Sequence, residues 1–90
     1  MNVQVLSAKM SFSEDKGYIG QVLFSVENHK QPYELTLQSD KGNFDWNYAL
    51  NFSDEPGSEE EILLVDERLE TDDDLFDMLV DAAKEAMSQQ

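Results

Sequence analysis

Twenty carboxylates, a single histidine and no cysteine bound the chemistry open to this chain. His29 alone has an unperturbed pKa near neutral pH. It falls between Asn28 and Lys30 in a turn-forming stretch, with no second histidine and no serine motif nearby. General-base work would need a carboxylate brought to it by the fold, Glu27 being the nearest in sequence, and the residue reads as a solvated turn histidine. Glu59, Glu60 and Glu61, and then Asp72, Asp73 and Asp74, offer the oxygen ligands that hard cations take. A calcium loop alternates its acids around a turn glycine and ends on a bidentate Glu, whereas Asp72–Asp74 has neither the alternation nor the glycine. Helix capping and solubility account for both runs, and no metal site is expected.

The glycines at 17, 20, 42 and 57 are isolated and form no phosphate-binding fingerprint. Trp46 and Tyr48 alternate as a base-stacking pair would, without the basic groove that single-stranded nucleic acid requires, so core packing is the better account of them. An enzyme or metal protein would need carboxylates gathered around an apolar pocket. No pattern here places them so; the expectation is a protein without catalytic activity or cofactor.

Charge is the remaining chemical feature. The net charge is −14 at pH 7 and is unevenly divided. Residues 1–52 hold six acids against four lysines, a net of −2; residues 53–90 hold fourteen acids against Arg68 and Lys84, a net of −12. Phosphate backbones and anionic membranes are bound mainly through Lys and Arg, so direct contact with either is disfavoured. A basic protein is the partner that electrostatics permits. The candidate docking residues are Glu59, Glu60, Glu61, Asp72, Asp73, Asp74, Asp77, Asp81 and Glu85. Such a surface could mimic a nucleic acid backbone, or neutralise a basic toxin or regulator in the manner of an inhibitor or immunity protein.

The elements that must position these acids follow from periodicity. Ninety residues, 40% hydrophobic, suit one domain with a modest core. No stretch approaches the ~18 apolar residues of a membrane span, and no basic region followed by an apolar run opens the chain, so a soluble cytoplasmic protein is expected. From Val3 to Phe52 the pattern has period two. Val3 and Val5 precede Leu6, Ala8, Met10 and Phe12, a change of parity that predicts a bulge. Ser13–Gly17 is turn chemistry; Tyr18, Val22, Phe24 and Val26 then line one face of a second strand, with Gly20 in line. Asn28–Pro32 and Ser39–Asn43 are further turns, flanking Tyr33, Leu35 and Leu37. Phe44, Trp46, Tyr48, Leu50 and Phe52 complete the alternation, against Asp45, Asn47, Ala49 and Asn51. Short connections predict an antiparallel meander in the order 1-2-3-4, one face aromatic and the other wet. Ile19 and Leu23 interrupt the wet face and, with Ala49, could form a secondary apolar contact patch.

Residues 71–88 read as a helix. Thr71 is placed to cap it and Asp72–Asp74 suit its positive end. Leu75, Phe76, Met78, Leu79, Val80, Ala82, Ala83, Ala86 and Met87 spread over roughly 200° of its circumference, leaving a narrow arc to Asp77, Asp81, Lys84, Glu85 and Ser88. Such a face needs a large cover, which the aromatic side of the meander supplies.

The acidic connector 53–70 contains Ser58 and Glu61 at capping-box spacing, which predicts a short helix over 58–69. Its continuous run Ile62-Leu63-Leu64-Val65 also suits a fifth strand at 61–66. The expected fold is therefore α+β: a four-stranded antiparallel meander (1–52) with a C-terminal helix packed on one face. Two roles follow, docking of a basic protein through the acidic C-terminal part or, alternatively, self-association as a homodimer through the sheet edge 44–52.

Overall fold

Alternation carries the first half of the chain into a sheet. The computed structural model describes residues 1–41 and 46–88. Strands β1 (Val3–Ser13), β2 (Gly17–Val26), β3 (Tyr33–Ser39) and β4 (Asn47–Phe52) pair antiparallel in the order β1-β2-β3-β4. The expected α+β meander is thus observed. Phe44 and Asp45 lie outside the described residues, as do Gly42 and Asn43 of the third turn. The bulge falls where parity changes: pairing passes from Val5 opposite Phe24 to Ser7 opposite Leu23, so Leu6 has no partner and is exposed. Gly17 closes the first hairpin at φ 76°, and a Cβ there would stand 2.5 Å from the Ser39 carbonyl oxygen.

The connector is helical. Helix α1 (Glu59–Thr71) excludes the fifth strand, and helix α2 (Asp73–Ser88) follows it almost at once. Ser58 caps α1, its Oγ accepting from the Glu61 N–H at 3.3 Å. The second half of the capping box is diverted, because Glu61 Oε1 accepts from the Lys30 N–H at 3.0 Å and ties α1 to the β2–β3 turn.

Thr71 does not cap the last helix. It ends α1, donating its hydroxyl to the Glu67 carbonyl at 3.0 Å, and the cap is Asp72. Asp72 serves both helices: its N–H donates to the Arg68 carbonyl at 2.8 Å, and its Oδ1 accepts from the Leu75 N–H at 3.2 Å. One residue whose backbone N–H closes α1 and whose carboxylate opens α2 moves the cap from Thr71 to Asp72 and the first residue of the last helix to Asp73.

Both helices cover the same face. The buried core comprises Met10, Val22, Phe24, Val26, Tyr33, Leu35 and Leu37 of the sheet, with Val65 and Leu69 of α1 and Leu79, Val80 and Ala83 of α2. α2 packs chiefly on β1 and β2, and α1 on β4 and α2. The expected cover for the alanines was aromatic; instead Ala83 lies over Gly20, where an added Cβ would stand 3.4 Å from the Ala83 Cβ and 2.9 Å from Met10 Cε. Small residues on both sides bring helix and strand close. The rings sit farther along, Phe76 on Tyr48 at 5.5 Å and Tyr33 between Phe24 and Phe52 at 5.6 and 5.7 Å. Phe12, assigned to the same face by alternation, is 53% exposed near the β1 end and touches only the Tyr18 ring among these contacts. Among the described residues no helix is long and apolar enough to cross a membrane.

Leu79 is fully buried and Asp81, two residues on, is exposed. Leu79→Ala is expected to cost about 2–5 kcal/mol and Asp81→Ala to stay within about 0.5 kcal/mol in urea unfolding. Equal midpoints for the two variants would contradict this orientation of α2.

Candidate functional site

The acids of the C-terminal half divide by exposure. Glu61 and Asp72 are half-buried and engaged with backbone N–H groups of Lys30 and Leu75, so they maintain the helices. Glu59, Glu60, Asp73, Asp74, Asp77, Asp81 and Glu85 are exposed. Glu59 and Glu60 occupy the first turn of α1, and Asp73 and Asp74 the first turn of α2, where negative charge complements the helix dipole.

On α2 the spacing is regular. Asp73, Asp77, Asp81 and Glu85 recur every four residues and so form a line along the exposed side, one turn above another. Lys84, the one base of this helix, is drawn from the line toward the sheet, its Nζ lying 5.8 Å from the Trp46 ring centroid. The opposite face of the sheet is close to neutral, with Lys9 and Glu34 its charges among outward-facing positions that register across β1 to β4. Of the two sides of the sheet, the helical one carries most of the negative charge.

Ile19 and Leu23 have a polar side chain between them. Both are half-buried on the uncovered face, but Gln21 stands between them and donates its amide to Glu34 Oε1, while Ala49 registers with Thr36 and through it with Gln21. Ile19 instead borders a shallow hollow of about 400 Å³ with Lys9, Ser11 and Thr36.

A second feature lies beside the helices. A groove of about 600 Å³ separates β4 from α1, floored by Trp46, Tyr48, Leu50 and Ile62 and walled by Leu63, Asp66 and Glu70. The Tyr48 hydroxyl donates to Asp66 Oδ1 at 3.3 Å. Burial raises the Tyr48 pKa above 10.0, and the charges of Asp66 and Glu70 raise it further, as both disfavour a phenolate there. The signal for this groove was the run Ile62–Val65. A helix turns four consecutive apolar residues through a full circle, so Val65 goes into the core while Leu63 is left 64% exposed.

His29 is more tied than a solvated turn residue. It is half-buried, Nδ1 lies 2.8 Å from the Tyr33 hydroxyl, and its ring meets Tyr33 edge-on at 5.9 Å. Glu27 is engaged elsewhere, accepting from the Asn2 amide. Burial first, and the Glu61 charge second, raise the Tyr33 pKa as well. Among the described residues no three of His, Asp and Glu gather into a metal-holding group. Comparison with protein-family models, curated proteins and solved structures finds no match to this chain.

A tyrosine pKa raised by folding contributes stability that is whole below the unfolded value of 10.0 and is lost as pH rises through the folded value. Stability is therefore expected to fall above about pH 10, and Tyr48→Phe to flatten that fall. Absorbance at 295 nm checks the assignment: the variant should lack a component that ionises late in the wild-type titration, and an unchanged curve would contradict the burial of this hydroxyl.

Proposed function

We propose that this protein is a non-catalytic binding module that docks a basic protein through the exposed acids of its helical layer. The observation that carries the reading is the line Asp73, Asp77, Asp81 and Glu85 on α2. Like charges four residues apart oppose helix formation, and interleaved lysines would give solubility without that cost. A single-sign line on a rigid helix is suited to steering and orienting a partner of opposite charge. Asp74, Glu59 and Glu60 extend the same field, while Glu61 and Asp72 support it structurally. Nucleic-acid mimicry and inhibition of a basic protein are the two forms of docking that this charge pattern serves.

Self-association through the sheet edge is the second reading, supported by β4, whose outer side pairs with no strand among the described residues. Its paired length is Asn47–Phe52; Phe44 and Asp45 of the expected 44–52 lie outside the described residues. A net charge of −14 on each copy opposes that pairing, which favours the basic partner.

The test is capture on immobilised protein at low salt, comparing wild type with Asp77→Asn/Asp81→Asn. The wild type should retain a basic protein that is released as salt rises, and the variant should lose most of it while melting at or above the wild-type temperature, having shed three like-charge pairs. Equal retention by both would overturn the role of the α2 line.

A further inference from the structure

The groove between β4 and α1 is divided along its length. α1 contributes Ile62 and Leu63, then Asp66, then Glu70, at steps of one helical turn, a run of about 12 Å. Residues 53–58 join the end of β4 to the start of α1 and Tyr48 bonds to Asp66, so Leu50 lies toward Ile62 and Trp46 toward Glu70. One end is therefore aliphatic. The other sets two carboxylates beside a phenol and an indole.

The charged end has no counter-ion from the chain. The Tyr48 hydroxyl engages one oxygen of Asp66, and the charges of Asp66 and Glu70 both bear on that hydroxyl. Arg68 borders a different hollow, with Leu64 and Thr71, and Lys84 lies over the Trp46 ring at 5.8 Å; neither base lines the groove. Among the described residues no Lys or Arg pairs with Asp66 or Glu70. Like charges four residues apart on a helix repel, and a cation held between them relieves that repulsion.

We infer that this groove binds a small organic amine in its protonated form, with the ammonium group at Asp66 and Glu70 and the apolar body along Leu50, Ile62 and Leu63. The ammonium donates charge-assisted hydrogen bonds to the two carboxylates, beside the Tyr48 and Trp46 rings, whose faces attract cations. A volume of about 600 Å³ suits a ligand of this size. A metal ion fits less well, because hard cations take several oxygens, and here two carboxylates adjoin an aliphatic wall. A neutral apolar molecule would cover the carboxylates without pairing them. The inference does not rest on the α2 line and stands even if that line proves inert.

Trp46 borders the groove and is the one tryptophan of the chain, so its emission reports occupancy, with the heat of mixing as a second readout. The probe is hexylammonium at neutral pH and fixed ionic strength. Methylammonium keeps the charge without the body, and 1-hexanol keeps the body without the charge. Hexylammonium should bind saturably, and each of the others at least about tenfold more weakly. Asp66→Asn/Glu70→Gln should weaken hexylammonium by about tenfold or more, whereas Asp77→Asn/Asp81→Asn, which removes the same charge from α2, should leave it within about twofold. Should the double variant at Asp66 and Glu70 fail to fold, Leu63→Lys carries the same test: it sets an internal competitor three residues from Asp66, at an exposed position, and should weaken binding about as much. No saturable signal by either readout, equal binding of hexanol or methylammonium, or equal losses in the two double variants would each overturn the inference.

Discussion

One apolar sheet face must be hidden from water, and everything else in this chain is arranged by how that is done. Val22, Phe24, Tyr33, Leu35 and Leu37 line the middle of it, and each is wholly buried. A single four-stranded sheet has no second sheet to pack on, and both helices fall on the same side. The closest approach is made where the side chains are smallest, at Ala83 over Gly20, and it sets the height of α2 above β1 and β2. With Leu79 and Val80 directed inward, Asp77, Asp81 and Glu85 are left on the solvent side. The charged surface is a consequence of the packed one.

The charges are not all equivalent once the helices are in place. Asp72 ends α1 and begins α2 with one residue, and Glu61 fastens the first turn of α1 to Lys30. Acids near helix starts are favoured whatever the protein does, which is why Glu59, Glu60 and Asp74 carry little functional information by themselves. The line along α2 differs because it continues beyond the first turn, where the dipole no longer favours it and neighbouring carboxylates repel.

α1 resolves a local conflict at the expense of exposure. Its run Ile62–Val65 contains more apolar surface than one helical face can hide, and the six-residue strand beneath it is the shortest in the sheet. Val65 and Leu69 take the core, Ile62 borders β4, and Leu63 stays in water. The groove along the open edge results from that mismatch. Its chemistry is mixed, aromatic and aliphatic side chains from Trp46, Tyr48 and Leu50 meeting the carboxylates of Asp66 and Glu70.

The meander, its order, the bulge at Leu6 and the helix with Leu79 inward were legible in the sequence, since each depends on periodicity or turn chemistry within a few residues. The confinement of acidity to the C-terminal half was legible too, being a matter of counting. Tertiary structure decided the rest. Helix over strand at 59–71 was settled by a capping serine and by contact with β4 and α2, against an apolar run that suits either. Asp72 replaced Thr71 as the cap because two helices compete for one junction, which neither helix reveals alone. Glu61 and Asp72 bond to the backbone N–H groups of Lys30 and Leu75, the first of them thirty-one residues distant. Between Ile19 and Leu23 stands Gln21, bonded across strands to Glu34, a pairing that one strand alone does not reveal. The groove joins β4 to α1 across the loop that separates them, and no local pattern encodes the width of a gap between two packed elements.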